Sequence, residues 1–450
     1  MNVDTVSELR KQSFQLKEPG TAANVFATLV ATVFHIGIRS YCGVEIIGLN
    51  NYTGSPSTLV VSNHKRDLDM LVIAPALHFG DSFPRSLVRP YFAARDDEFA
   101  PSFLATYYNL PQWLNRIILY KLDISPVMYA FRAYPMRQAH AATTNQALRE
   151  TLLMEGNAEL GKVAQESWLQ RSADSLEIPI DRLKSMTIRD LMSWRYLKIL
   201  RQKADSSMLQ GNLCRRMRLF QGRAIRKQLE YFAELLSQGK TLFLAPEGEL
   251  SSDGMFCPIR GSHHRLIKMS RRTVKILPMN ISYDFMTTGR MKVFLNIGRE
   301  IPDMKELSKA ELELRVKDSL LKLAVVTMSQ IGSYSLYREA AQGNDILIEE
   351  NWQQQLVNLA QKTEEVGLGV DRALLNERFL RKNIKSFVNY CLRKGQLAEV
   401  SPGRLRINRE IILNNSSAGY SQNPVHYCHN EFSSLLGSKS LSFLPLTVYR

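Results

Sequence analysis

Cysteine is scarce in this chain: five in 450 residues, Cys42, Cys214, Cys257, Cys391 and Cys428, with no C-x-x-C pair among them. A disulfide-stapled scaffold and a zinc ribbon both need paired cysteines, so neither is expected, and a reducing compartment is. Acidic residues run short as well. The 43 Asp and Glu face 58 Lys and Arg, a formal charge of +15, which suits an anionic partner: a membrane surface, a phosphorylated substrate or nucleic acid. Long runs that are both uncharged and predominantly apolar are few. One is Thr21 to Ile38, eighteen residues without a formal charge, ahead of Arg39. It only just reaches the length of a spanning helix, and Asn24, His35 and several Thr weaken it. A true span, a helix dipping into one leaflet and a plain core helix all fit. The segment before it is long and carries acidic residues without a small-residue cleavage site, which argues against a secretory signal.

What the chain does have is enough apolar sequence, 45% hydrophobic residues, to bury one large core or two modest ones. Its organising stretch is Ser62-Asn63-His64-Lys65-Arg66-Asp67-Leu68-Asp69. The β-branched run from Thr58 to Val61 predicts a buried strand before it, and the apolar run from Met70 to Leu77 predicts a helix after it. A His and an Asp thus flank the point where a strand gives way to a helix. His is suited to remove a proton near neutral pH, and an ionised Asp can set its tautomer and stabilise the imidazolium. On a continuous helix five residues turn about 500°, leaving His64 and Asp69 roughly 140° apart, so their contact requires a bend. Asp67 would be the better partner on a regular helix. A polar loop with a solvated His is the plain alternative for any single H-x4-D.

Two further apolar runs follow, each read as a strand. Leu242-Phe243-Leu244-Ala245 opens into Pro246-Glu247-Gly248-Glu249-Leu250-Ser251, and Lys275 to Ile281 surrounds Pro278. With these in place the chain resembles the glycerolipid acyltransferase family over about residues 40 to 300. Asn63, His64 and Asp69 match its N-H-x4-D block, Pro246, Glu247, Gly248 and Ser251 its P-E-G-x-x-S block, and Pro278 its apolar strand with Pro. The resemblance implies that His64 is the general base and Asp69 its partner, with Glu247, Gly248 and Ser251 shaping the acceptor site. Arg137, which closes Phe131-Arg132-Ala133-Tyr134-Pro135-Met136, matches the family's second block and is the candidate for gripping the acceptor's phosphate, since a guanidinium makes bidentate bonds to phosphate oxygens. A surface Arg is the alternative. The family often carries Thr-Arg after its Glu-Gly, where this chain has Glu249-Leu250. Arg260 stands near where the family often has a basic residue and is a candidate substitute. Arg95 stands where a Lys is common. The adjacent His263 and His264 have no Asp, Glu or Cys at ligand spacing, so no metal site is expected.

The fold class expected is α/β, a mixed sheet flanked by helices, with three parts. Residues 1–40 form a polar segment and an apolar membrane-associated helix. Residues 41–340 form an acyltransferase-like domain with a helical basic insertion at about 141–225, and residues 341–450 form a mainly helical extension. From Arg171 to Glu230 there are 14 Lys and Arg against 6 Asp and Glu, a balance that suits anionic headgroups, an acidic acyl carrier protein or simply a solvated helix face. Ala224 to Gln238 reads as an amphipathic helix stopped by Gly239. Residues 99–130, rich in Tyr, Leu and Ile with Trp113, read as core or as an acyl-chain groove. Phe379 to Gly395 and then Gly403 to Ile407 have a winged-helix rhythm, without a recognition helix basic enough to make nucleic acid an expected partner.

The function implied is transfer of a fatty acyl group from acyl-CoA or an acyl carrier protein thioester to the hydroxyl of a lysophosphatidate-type glycerolipid, without a cofactor, at the cytoplasmic face of a membrane. Glycerol-3-phosphate or another lysophospholipid is an alternative acceptor. A basic membrane- or nucleic-acid-binding protein without catalysis is the alternative class.

Overall fold

The computed structural model describes residues 19–79, 89–107, 111–137, 143–204, 208–248, 250–302, 304–414 and 420–438. The polar segment at the N-terminus, up to residue 18, and Glu249 therefore lie outside the described residues. The chain divides into two compact units, Met1–Ala27 with Tyr91–Leu235 and Thr28–Pro90 with Leu236–Arg450.

In the second unit, β1 (Cys42–Ile47), β2 (Thr58–Ser62), β5 (Leu242–Leu244), β6 (Lys275–Asp284) and β7 (Met291–Ile297) lie in the spatial order β1-β7-β6-β2-β5. β2 runs parallel to both β5 and β6, and β6 runs antiparallel to β7, so the sheet is mixed. β2 and β5 are buried along their whole length, as expected of central strands covered on both faces. In the first unit β3 (Tyr91–Arg95) and β4 (Ala133–Met136) pair in parallel. The rest of that unit is helical. Its core is built from Leu148, Leu160, Trp168, Leu169, Leu183, Ile188 and their neighbours.

The uncharged N-terminal run forms α1 (Thr21–Tyr41), 21 residues whose most apolar 18-residue window has a mean hydropathy of 1.6. At 1.5 Å per residue its length is about 30 Å, that of a bilayer's hydrocarbon core. Only 11% of its most apolar window is buried, and Val25, Phe26, Leu29, Val33 and Ile36 face outward. α2 (Asp69–Phe79) follows β2. The helix expected from Ala224 in fact starts at Gly211 and runs unbroken as α3 (Gly211–Ser237). No Pro interrupts it, and Gly222 alone costs about 1 kcal/mol against Ala, too little to end a helix. It stops as expected before Gly239, which has φ +83°. Arg215, Arg216, Arg218, Arg223, Arg226 and Lys227 are exposed on it, with Arg216 bound to Glu155 and Arg226 to Glu230. Residues 99–130 are mixed: Phe103 and Ala105 are buried, while Trp113 is 63% exposed.

Beyond β7, α4 (Lys309–Lys322) and the strand β8 (Val325–Val326) lead to α5 (Met328–Ala341). Next come β9 (Ile346–Ile348), α6 (Glu349–Glu365), the short strand β10 (Gly369–Val370), α7 (Glu377–Arg393), and a hairpin of β11 (Leu397–Ser401) and β12 (Arg404–Ile407). The hairpin's second strand pairs with β9, giving an antiparallel sheet in the order β11-β12-β9. α8 (Pro424–Ser438) ends the described chain. One hydrophobic core joins Met286 and Leu321 to Trp352, Phe387, Tyr427 and Phe432, so residues on both sides of position 340 share a single interior.

One side chain stitches the organising loop to the sheet. Asn63 continues from β2, is 1% exposed, donates from Nδ2 to the Ile281 carbonyl at 3.0 Å and accepts the Ile281 N–H at 2.8 Å. Its amide thus replaces a backbone rung on β6. Asn63→Ala leaves one buried donor and one buried acceptor unpaired, which costs about 2–4 kcal/mol; urea unfolding of the two proteins should show that loss at an unchanged m-value.

Candidate functional site

The site lies in the second unit, at the carboxyl ends of the parallel strands β2 and β5. Residues 63–68 form an irregular turn between β2 and α2, the bend that the His64–Asp69 spacing requires. Asp69 is the first residue of α2, where the free N–H groups of a helix start favour a carboxylate. Its Oδ2 accepts from His64 Nδ1 at 2.9 Å, from the Lys65 N–H at 2.6 Å and from the Arg66 N–H at 3.1 Å. Its Oδ1 accepts from the Tyr283 hydroxyl at 2.5 Å. Asp69 is 1% exposed, and a buried carboxylate of this kind is held by its hydrogen bonds. Asp67, by contrast, points to solvent.

Because a carboxylate only accepts, His64 carries its proton on Nδ1 and presents the lone pair on Nε2. The His64 side chain keeps 23% exposure. Burial pulls the imidazole pKa down, but the Asp69 hydrogen bond and charge, with Glu247 and Asp67 adding to them, outweigh burial and leave it above 6.5. Tyr283 is buried, and that burial with the Asp69 charge beside it pushes the phenol well above its usual range. The hydroxyl therefore stays protonated and donates.

Glu247 bridges two segments. Its Oε1 accepts the His64 N–H and its Oε2 the Cys257 N–H, both at 2.9 Å. It is 2% exposed, and burial lifts its pKa against those two backbone bonds. In this placement Glu247 clamps the His64 loop to the turn after β5. Gly248 has φ +72°, and a Cβ there would stand 3.0 Å from Arg260 Cδ. A side chain at 248 would thus meet both backbone strain and the Arg260 side chain. Arg260 is tied back by its N–H to the Pro246 carbonyl at 2.8 Å. Ser251 Oγ donates to the Met255 carbonyl and accepts the Gly254 N–H, at 2.8 and 2.9 Å, while its own N–H reaches the His64 carbonyl at 3.3 Å. His64, Asp69, Glu247, Gly248, Ser251 and Arg260 are thus brought together.

Arg137 lies in the first unit with two of its three guanidinium nitrogens engaged. It binds Asp96 at 2.8 Å and Glu150 at 3.2 Å, and its N–H donates to Gln228. Its Nε and Nη2 are thus held by carboxylates, while Nη1 is buried without a hydrogen-bond partner among the described residues. Arg95 pairs with Asp97 at 2.6 Å. His263 is buried with Nδ1 on the Arg260 carbonyl, and burial pushes its pKa down. Among the described residues no group of three or more His, Cys, Asp or Glu is placed to hold a metal ion.

Sequence reasoning missed Tyr283, Lys65 and Glu431. Tyr283 sits in a strand buried at nine of its ten positions, where no alternation marks one side chain as special. Lys65 Nζ makes a buried ion pair with Glu431 on α8, across a separation that no local pattern reveals.

No family model matches the chain, and no curated protein matches it. Among solved structures it is similar to the 1-acyl-sn-glycerophosphate (LPA) acyltransferase PlsC from Thermotoga maritima, at 14% identity and a TM-score of 0.34, over 70% of this chain and 86% of that one. A likeness of that size carries no functional weight by itself.

The geometry makes a spectroscopic prediction. The His64 imidazole should titrate above its ordinary range in the wild-type protein, and Asp69→Asn should move the titration to lower pH, because the acceptor that favours the imidazolium is lost. Imidazole ¹⁵N NMR against pH checks both the direction and the Nδ1–H tautomer.

Proposed function

We propose that this chain is an acyltransferase that moves a fatty acyl group from a CoA or carrier-protein thioester to the hydroxyl of a lysophosphatidate-type glycerolipid. The observation that carries the reading is the His64 Nδ1–Asp69 Oδ2 contact at 2.9 Å, set at a strand end and joined through Glu247 to the turn after β5. The match of these residues to the N-H-x4-D and P-E-G-x-x-S blocks supports it.

In this reading the acceptor hydroxyl lies against His64 Nε2. His64 removes the proton as the oxygen attacks the thioester carbonyl, and Asp69 stabilises the imidazolium that forms. Collapse of the tetrahedral intermediate expels the thiolate, which takes the proton from His64. Backbone N–H groups of the two loops steady the oxyanion. No step consumes a cofactor. Arg260, beside Gly248, is assigned to the acceptor's phosphate, with Arg137 the second candidate. α1 supplies attachment to the cytoplasmic face of the membrane, and the exposed basic face of α3 is assigned to anionic headgroups or a carrier protein.

Leu250 stands where the family often has an Arg, and this favours a second reading in which glycerol-3-phosphate or a lysophospholipid with a larger headgroup is the acceptor. Mass spectrometry of products from acyl-CoA and acyl carrier protein, offered with lysophosphatidate, glycerol-3-phosphate and lysophosphatidylcholine, separates the two. His64→Ala should lower turnover by about 10²–10⁴-fold with unchanged circular dichroism. Full activity in that variant would refute the mechanism. No product from any pairing would favour a non-catalytic basic protein, which salt-dependent binding to DNA and to anionic vesicles then sorts.

A further inference from the structure

The sequence motifs leave α8 without a role, yet it touches both loops of the site. Glu431 on α8 pairs with Lys65, the residue after the base; their side chains are 5% and 13% exposed. The Tyr427 hydroxyl donates to the Lys65 carbonyl at 3.4 Å. On the other loop, Asn430 Nδ2 donates to the Asp253 carbonyl at 3.0 Å. Gly254 lies so close that an added Cβ would stand 2.0 Å from the Tyr427 carbonyl oxygen. The helix is in turn fixed by its packing on α5, where His429 stacks on Tyr337 at 4.0 Å between ring centroids and on Tyr334 at 5.4 Å.

We infer that α8 belongs to the active site and that Glu431 is a positioning residue, whose task is to hold the Lys65 ammonium away from the carboxylates that serve His64. The electrostatics are specific. Lys65 feels the negative charges of Glu247 and Asp69, and burial pulls its pKa down to about 8. A buried cation needs a carboxylate partner. With Glu431 present it has one of its own. With Glu431 neutral, the carboxylates whose charge still acts on it are Glu247, which clamps the His64 backbone, and Asp69, which orients the imidazole. A cation drawn to either weakens the field that favours the imidazolium.

The kinetic part of this inference rests on the acyltransfer reading; the structural part does not, so the experiment has two readouts on the full-length protein. Glu431→Gln, with its fold verified by circular dichroism, should move the His64 ¹⁵N titration to lower pH and cut kcat about tenfold or more with KM little changed. The double variant Lys65→Met/Glu431→Gln removes the stray cation and should restore both. Glu431→Asp, which keeps the charge, should stay near wild type and serves if the Gln variant does not fold. A titration unmoved in Glu431→Gln overturns the proposal. So does a double variant no better than the single one, the result expected of a merely structural contact. If wild-type protein turns over no acceptor, the acyltransfer reading fails while the titration still decides the role of Glu431.

Discussion

The Asp69 carboxylate is the constraint on which the site depends. One oxygen collects the imidazole and two consecutive backbone N–H groups, and the other takes a phenol from β6. A buried carboxylate needs this many donors to remain in place, and each donor comes from a segment the site must also position. The same bonds that make Asp69 tolerable inside the protein therefore shape the loop, orient the His64 imidazole and tie α2 to the sheet. Loss of the carboxylate is a loss of architecture as well as of charge.

Around it, polar side chains do what backbone ladders do elsewhere. Asn63 acts as a rung between the end of β2 and β6. Glu247 spans from the His64 N–H to the Cys257 N–H, and Ser251 closes the turn that follows. An irregular backbone at a strand end leaves N–H and C=O groups that still require partners. In this chain the residues of the two motifs fill much of that need, which is a physical reason for the motifs to have the residue types they do.

The strands that build the sheet of the second unit, the bend between His64 and Asp69, and the stop at Gly239 were legible in the sequence because each has a local signature: a β-branched run, a spacing incompatible with a helix, a Gly after an amphipathic stretch. The start of α3 was not, since Gly222 marks a break that the helix ignores. Tyr283 and Glu431 were invisible for a different reason. Each is one polar side chain in a largely buried element, and its partner lies 214 or 366 residues away. Arg137 shows the reverse. Its residue type and place fit a phosphate ligand, and only coordinates reveal the two carboxylates already bound to it.

The Lys65–Glu431 pair also has a consequence in time. Synthesis proceeds at about 5–20 residues per second, so α1 and the His64 loop are made long before α8 exists. Contacts of such separation close late, after the entropy of a long loop has been met. During that interval the apolar helix is free to engage its surroundings while Lys65 has no partner on α8. The surroundings of His64 are therefore completed only once residues more than 360 positions downstream have been made.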